Sequence, residues 1–151
     1  VSADAPVSAE APVIRIVAAV ILNPAGHLLL VRKRDTVTFM QPGGKFEPGE
    51  TGEQALIREL NEELGFELQP VDLEYVGRFS ADAANEVGHR VDCDVHFTVI
   101  DAEGVAAAEI EELLWIDPTR MDEVALAPLT GEVMRPYILT MSAAIQNRVQ
   151  Q

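Results

Sequence analysis

The apolar and polar positions of this chain fall into blocks whose periods name the elements they build. Val13 to Leu22 is an almost unbroken apolar run, which predicts a strand covered on both faces. Asn23, Pro24, Ala25 and Gly26 supply turn chemistry, and His27 to Arg34 returns as a second strand. Apolar positions next recur at helical spacing between Gly52 and Leu64. Thr51 stands at the N-cap with Gln54 three residues on, and Gly65 sits where a helix-ending glycine belongs. Val71 to Ala81 predicts a further strand. Val91 to Ile100 alternates, with Val91, Cys93, Val95, Phe97 and Val99 on one face and Asp92, Asp94, His96 and Thr98 on the other. Leu113 to Ile116 predicts a short strand. From Leu129 to Val149 the residues Leu129, Val133, Met134, Tyr137, Ile138, Met141 and Ile145 define one helical stripe. The sum is an α/β chain: a mixed β-sheet with helices on both sides.

Composition narrows the partners. A length of 151 residues suits one domain with a real core, here taken as residues 13–151 with no internal repeat. Residues 1–12, small, acidic and Pro-interrupted, are expected to form a disordered tail. A net charge of −14 argues against binding a nucleic-acid polymer, and no apolar run approaches a membrane span. Small phosphorylated ligands stay open, because a divalent cation can bridge carboxylates to phosphate. The single cysteine, Cys93, fits a reducing compartment, and with no secretory leader pattern the expected location is cytoplasmic. Its apolar neighbours assign Cys93 to the core rather than to nucleophilic chemistry.

The chemistry concentrates in GKFEPGETGEQALIRELNEELGF. The spacing is Gly44, five residues, Glu50, seven residues, then Arg58, Glu59, Leu60, one residue, Glu62, Glu63, one residue, Gly65 and Phe66. At about 100° per residue, Glu62 and Glu63 fall roughly 60° and 40° to either side of Glu59, so three carboxylates crowd one arc. Leu56, Ile57, Leu60 and Leu64 occupy the next arc and can anchor the same helix in the core. Crowded like charges repel, and a cation converts that repulsion into coordination. Oxygen-only ligands favour Mg²⁺ or Mn²⁺. Gly43 and Gly44 allow close backbone approach, with a Gly44 carbonyl as a candidate metal ligand. Lys45 offers a charge for phosphate, Arg58 is placed to orient carboxylates, and Glu50 is a candidate to complete the metal shell or brace the loop.

This spacing resembles the Nudix box at each of its defined positions, and the likeness extends over about Val13 to Gln146. The resemblance implies an α/β/α sandwich and metal-assisted attack of water on a diphosphate. Glu59, Glu62 and Glu63 match the family's metal-binding glutamates, and Glu59 is one candidate general base. In some members the base lies in a later loop. The stretch from Ala108 to Trp115 resembles that loop and the strand after it, with Glu109 the best match to an additional acidic ligand and Glu112 in reserve. MutT-like relatives carry a basic nucleotide contact near Arg32 and Arg34. Phe39 to Gly44 resembles the aromatic-led run that often precedes the box, although core packing is the plainer role for Phe39. Asn85 and Glu86 are candidates for reading substrate hydrogen-bond edges, against the default of a plain loop. Asp92, Asp94 and His96 either line the cleft or meet solvent.

The implied substrate is a nucleoside diphosphate derivative. A (d)NTP, oxidised or not, cleaved to monophosphate and pyrophosphate leads; an ADP-ribose or nucleotide-sugar pyrophosphatase is the alternative enzyme. A nucleotide-sensing module without catalysis is the alternative from another class, but such modules usually lose a metal-site glutamate and this chain keeps all three. Monomer and homodimer are both compatible with the terminal helix and the edge strands.

Overall fold

A computed structural model describes residues 11–149. The expected tail therefore falls mostly outside the described residues; Pro12, its last residue, accepts a 2.9 Å bond from the Arg90 N–H. Seven strands form one mixed sheet: β1 (Val13–Leu22), β2 (Leu28–Lys33), β3 (Phe39–Met40), β4 (Gly43–Lys45), β5 (Glu74–Asp82), β6 (Arg90–Val99) and β7 (Ile110–Ile116). The order β3-β2-β1-β6-β5 is completed by β4 on β1 and β7 on β2. β1 and β6 run parallel through ten paired positions, from Val13↔Arg90 to Leu22↔Val99. The named partners of β1 on its other side change along its length. Leu22 pairs with Leu28 of β2, while Ile16, Val17 and Ala18 pair with β4.

The apolar run of β1 feeds two cores because successive side chains point to opposite faces. Ala18, Val20 and Leu22 meet Met134 and Ile138 on one side. Val17, Ala19 and Ile21 meet Ala55, Leu56, Leu60 and Leu64 of α1 (Gly52–Leu64) on the other. The α/β/α sandwich follows. α1 is held at both ends: Thr51 and Gln54 form a reciprocal capping box, and Gly65 at φ 75° closes the last turn onto Asn61 and Leu60 carbonyls. A cap of this kind contributes about 1 kcal/mol.

Several elements differ from the sequence expectation, among them β7, which starts at Ile110 rather than Leu113. The strand foreseen at Val71 starts at Glu74, because Pro70–Asp72 forms a 3₁₀ turn with Asp72 accepting from the Gln69 N–H at 2.8 Å. β3 and β4 were not foreseen; two or three residues, two of them glycines in β4, carry no periodic signal. The terminal helix opens as a π-helical segment (Leu129–Met134) before α2 (Arg135–Val149). Pro136, having no N–H to offer the Glu132 carbonyl, is the physical reason regular α-hydrogen bonding cannot run through this junction.

Candidate active site

α1 presents Glu59 and Glu63 toward β4 and toward the turn before β7. One carboxylate oxygen from each of Glu59, Glu63 and Glu109 lies within 4.8 Å of the others. Glu63 is the buried member, 1% exposed, and accepts a 3.4 Å bond from the Gly43 N–H. Burial, then the neighbouring Glu59 and Glu109 charges, push its carboxyl up to about 9. A site so unfavourable to its own negative charge fits a divalent cation, and an all-oxygen donor set suits a hard one. Gly44 is required by contact: a Cβ there would stand 2.5 Å from the Glu59 carboxyl carbon. At Gly43 a Cβ would strike the Val17 carbonyl, so the β1–β4 pairing depends on it.

Arg58 organises the acidic side. It donates to both oxygens of Glu50 at 2.8 and 2.9 Å, to Glu59 Oε1 at 2.8 Å and to the Lys45 carbonyl at 3.1 Å. The Arg58 fork and the Glu47 N–H hold the Glu50 carboxyl down to about 2. Glu50 thus braces the loop ahead of α1. Glu62 is half exposed, outside the three-carboxylate group, and takes a longer 3.4 Å bond from Arg58. Glu112 is likewise outside, paired with Arg32 at 3.1 Å.

A cavity of about 310 Å³ runs from Glu59 and Glu109 along β1 and β4 to the start of the π-helical segment. Lys45 and Asn85 line it, as expected of residues proposed to meet substrate. Arg32 and Arg34 do not; Lys33, between them, does. Arg32 is occupied by Glu112 and by the Thr36 carbonyl at 2.7 Å. Arg34 bonds the Ala108 carbonyl at 2.7 Å, while its own N–H reaches the Glu109 carbonyl at 2.8 Å. Ala108 is held at φ 54°, a left-handed conformation that is costly for alanine, immediately before Glu109. Arg34 therefore braces the turn that delivers Glu109. Reading alternation along β2 would have flagged Lys33 as facing opposite to its two neighbours.

Asp94 and His96 are buried away from this cavity. Asp94 takes Arg78 at 3.0 Å and Arg15 at 3.3 Å; His96 packs against the edge of Tyr75 close to Gly52. Cys93 is core, its thiol pushed up to about 12 by burial.

The fold is a mixed sheet between two helical layers, with a cleft lined by Glu59 and Glu109 at one end and by Lys33 and Lys45 along it. The NUDIX domain matches residues 12–138, and the chain belongs to the Nudix hydrolase family. It is 33% identical over 132 residues to the CTP pyrophosphohydrolase of Escherichia coli, covering 84% of this chain and 93% of that protein. A shorter match, 44% over 57 residues, relates 35% of this chain to 42% of the 8-oxo-dGTP diphosphatase of Haemophilus influenzae. Among solved structures, the E. coli ORF135 protein superposes with TM-score 0.63 at 27% identity, over 93% of this chain and 96% of that one. A MutT structure from the study of Aliivibrio salmonicida and Vibrio cholerae proteins shares the fold, with TM-score 0.65 at 22% identity over 85% and 98%.

Proposed function

We propose that this protein hydrolyses the diphosphate linkage of a nucleoside diphosphate derivative with Mg²⁺ or Mn²⁺, its leading substrate a (d)NTP, oxidised or not, cleaved to monophosphate and pyrophosphate. The observation that carries the reading is one continuous cavity with carboxylates at one end, two lysines along it and an apolar wall beyond. The relatives named for CTP and 8-oxo-dGTP support a nucleotide as the ligand.

Glu59, Glu63 and Glu109 would hold the metal, with the Gly44 backbone close beside them. A bound divalent ion supplies neutralisation of phosphate oxygens and a more acidic water. Lys33 and Lys45 offset the remaining phosphate charge in an otherwise acidic protein. Arg58 fixes the orientation of the Glu59 carboxylate, which would present it to the cation. Glu109, exposed at the cavity, is the group suited to take the proton of the attacking water and pass it to solvent. Water adds across the P–O–P bond, which breaks to give two phosphate products.

The test incubates the protein with Mg²⁺ or Mn²⁺ and a panel of (d)NTPs, 8-oxo-dGTP, ADP-ribose and nucleotide sugars, measuring monophosphate, phosphate and pyrophosphate. Glu59→Gln and Glu63→Gln should each lose several orders of magnitude in turnover with the fold retained. Near-normal rates in either would end the assignment. Nucleotide-dependent thermal stabilisation without turnover in the unaltered protein would move it to the sensing class.

A further inference from the structure

Beyond the phosphate end, the cavity wall is aliphatic. Ile14, Ile16, Val91, Ala127 and Leu129 face it, and no aromatic side chain lines it among the described residues. Gln41, at 5% exposure, and Thr130, at 1%, are the buried polar side chains of this lining, whereas Asp82, Asn85 and Glu86 line it as exposed residues. Gln41 and Thr130 lie 89 residues apart in the chain and bond to each other: the Thr130 hydroxyl donates to Gln41 Oε1 at 3.3 Å. Gln41 Nε2 donates to the Ala19 carbonyl at 3.3 Å. A carbonyl can only accept, so this bond fixes which end of the amide faces β1 and which faces Thr130.

A primary amide has two N–H donors and two lone pairs on its oxygen. With one of each engaged, Gln41 keeps one N–H donor and one lone pair uncommitted on a side chain that lines the cavity. Fixed orientation makes that pair a reader. A flexible amide would accommodate any edge, whereas a pinned one accepts only a group offering an acceptor and a donor in matching order. Planar heterocycles carrying an amino or imino N–H beside a ring nitrogen or carbonyl have such an edge.

Resting on the hydrolase reading above, we propose that Gln41, positioned by Thr130 and the Ala19 carbonyl, is a residue that selects the nucleobase. The aliphatic wall takes the ring faces, and Gln41 reads an edge with adjacent donor and acceptor. Selection by the amide also explains why a buried polar pair persists beside the alkyl groups of this wall.

The experiment compares the unaltered protein with Gln41→Leu and Thr130→Val. The kcat/KM of each is measured for ATP, GTP, CTP, UTP and 8-oxo-dGTP with Mg²⁺, beside the melting temperature. A lost two-point contact should shrink the ratio between best and worst base by about 5- to 150-fold in Gln41→Leu. Thr130→Val, which frees the amide to turn, should shrink it in the same direction. Should Gln41→Leu fail to fold, the near-isosteric Thr130→Val carries the test. A ratio kept within twofold in the folded variants overturns the proposal. Failure of the hydrolase reading is separable: if the unaltered protein turns over none of these, thermal shifts by the five corresponding monophosphates replace kinetics. An unchanged ranking in the variants would then overturn base selection as well.

Discussion

Glu63 makes a quantitative prediction, because the same burial that suits a cation penalises the empty-handed carboxylate. Burial first, and the Glu59 and Glu109 charges second, push its carboxyl up from 4.5 to about 9. A folded-state pKa raised above the unfolded one gives a contribution that is complete below pH 4.5. That contribution drains away as pH climbs toward 9. Each pH unit in that window costs 1.36 kcal/mol at most, so the fold should lose on the order of 4 kcal/mol between pH 5 and pH 8. For a domain of this size that corresponds to roughly 10 °C in melting temperature. His96 pulls the other way near pH 6.5, since burial lowers its pKa. It is common to the unaltered protein and to Glu63→Gln, and cancels in their difference. Metal-free Glu63→Gln should therefore melt well above the unaltered protein at pH 8 and near it at pH 5, while losing metal uptake. Metal binding to the unaltered protein at pH 7 should expel about one proton, seen as a buffer-dependent heat in titration calorimetry. Equal melting of the two proteins at pH 8, or metal uptake with no proton release, would refute the reasoning.

Three further outcomes are expected. Gly44→Ala forces the Glu59 carboxylate back by about 1 Å to reach ordinary contact, which should cost about 10²-fold in kcat with little change in melting temperature; unimpaired turnover would show that Glu59 is not held where it acts. Arg34→Ala should lower kcat with KM nearly unchanged, because Arg34 braces the Ala108–Glu109 turn, whereas Arg32→Ala should do little; a rise in KM alone for Arg34→Ala would restore it as a substrate contact. Asn85→Ala should reorder the nucleotide panel without altering metal affinity, since Asn85 lines the cavity but is not part of the Glu59, Glu63 and Glu109 group; an unchanged substrate profile would return it to plain loop.

What could be read from the sequence was whatever repeats with a period or obeys a fixed spacing. α1 shows both: Leu56, Leu60 and Leu64 recur at helical spacing, Thr51 and Gln54 cap it, and Glu59 and Glu63 follow from one-turn geometry. Two sides of β1 could be inferred from its unbroken apolar run. Glu62 shows the limit of counting angles alone. An arc of 100° admits three carboxylates, whereas in the structure Glu109 comes within 4.8 Å of Glu59 and Glu63, and Glu62 accepts a 3.4 Å bond from Arg58. Nothing local to residues 58–63 encodes where residue 109 will lie.

The basic residues at the end of β2 mark a second limit. Arg32, Lys33 and Arg34 are equivalent as composition, and only pairing across the sheet separates them. Arg32 stands opposite Glu112, and β7 then inserts Glu111 before Ile110 comes opposite Lys33. That bulge is one extra residue, and a bulge re-aims the chain at the point where it occurs. Here it falls two residues from Glu109, with the left-handed Ala108 and its Arg34 bond just beyond. The positive charge of Arg34 thus serves the carboxylate group indirectly, by holding a strained turn, while Lys33 faces the ligand cavity. Charge identifies which residues can do such work. The register of a strand eighty residues away decides which one does.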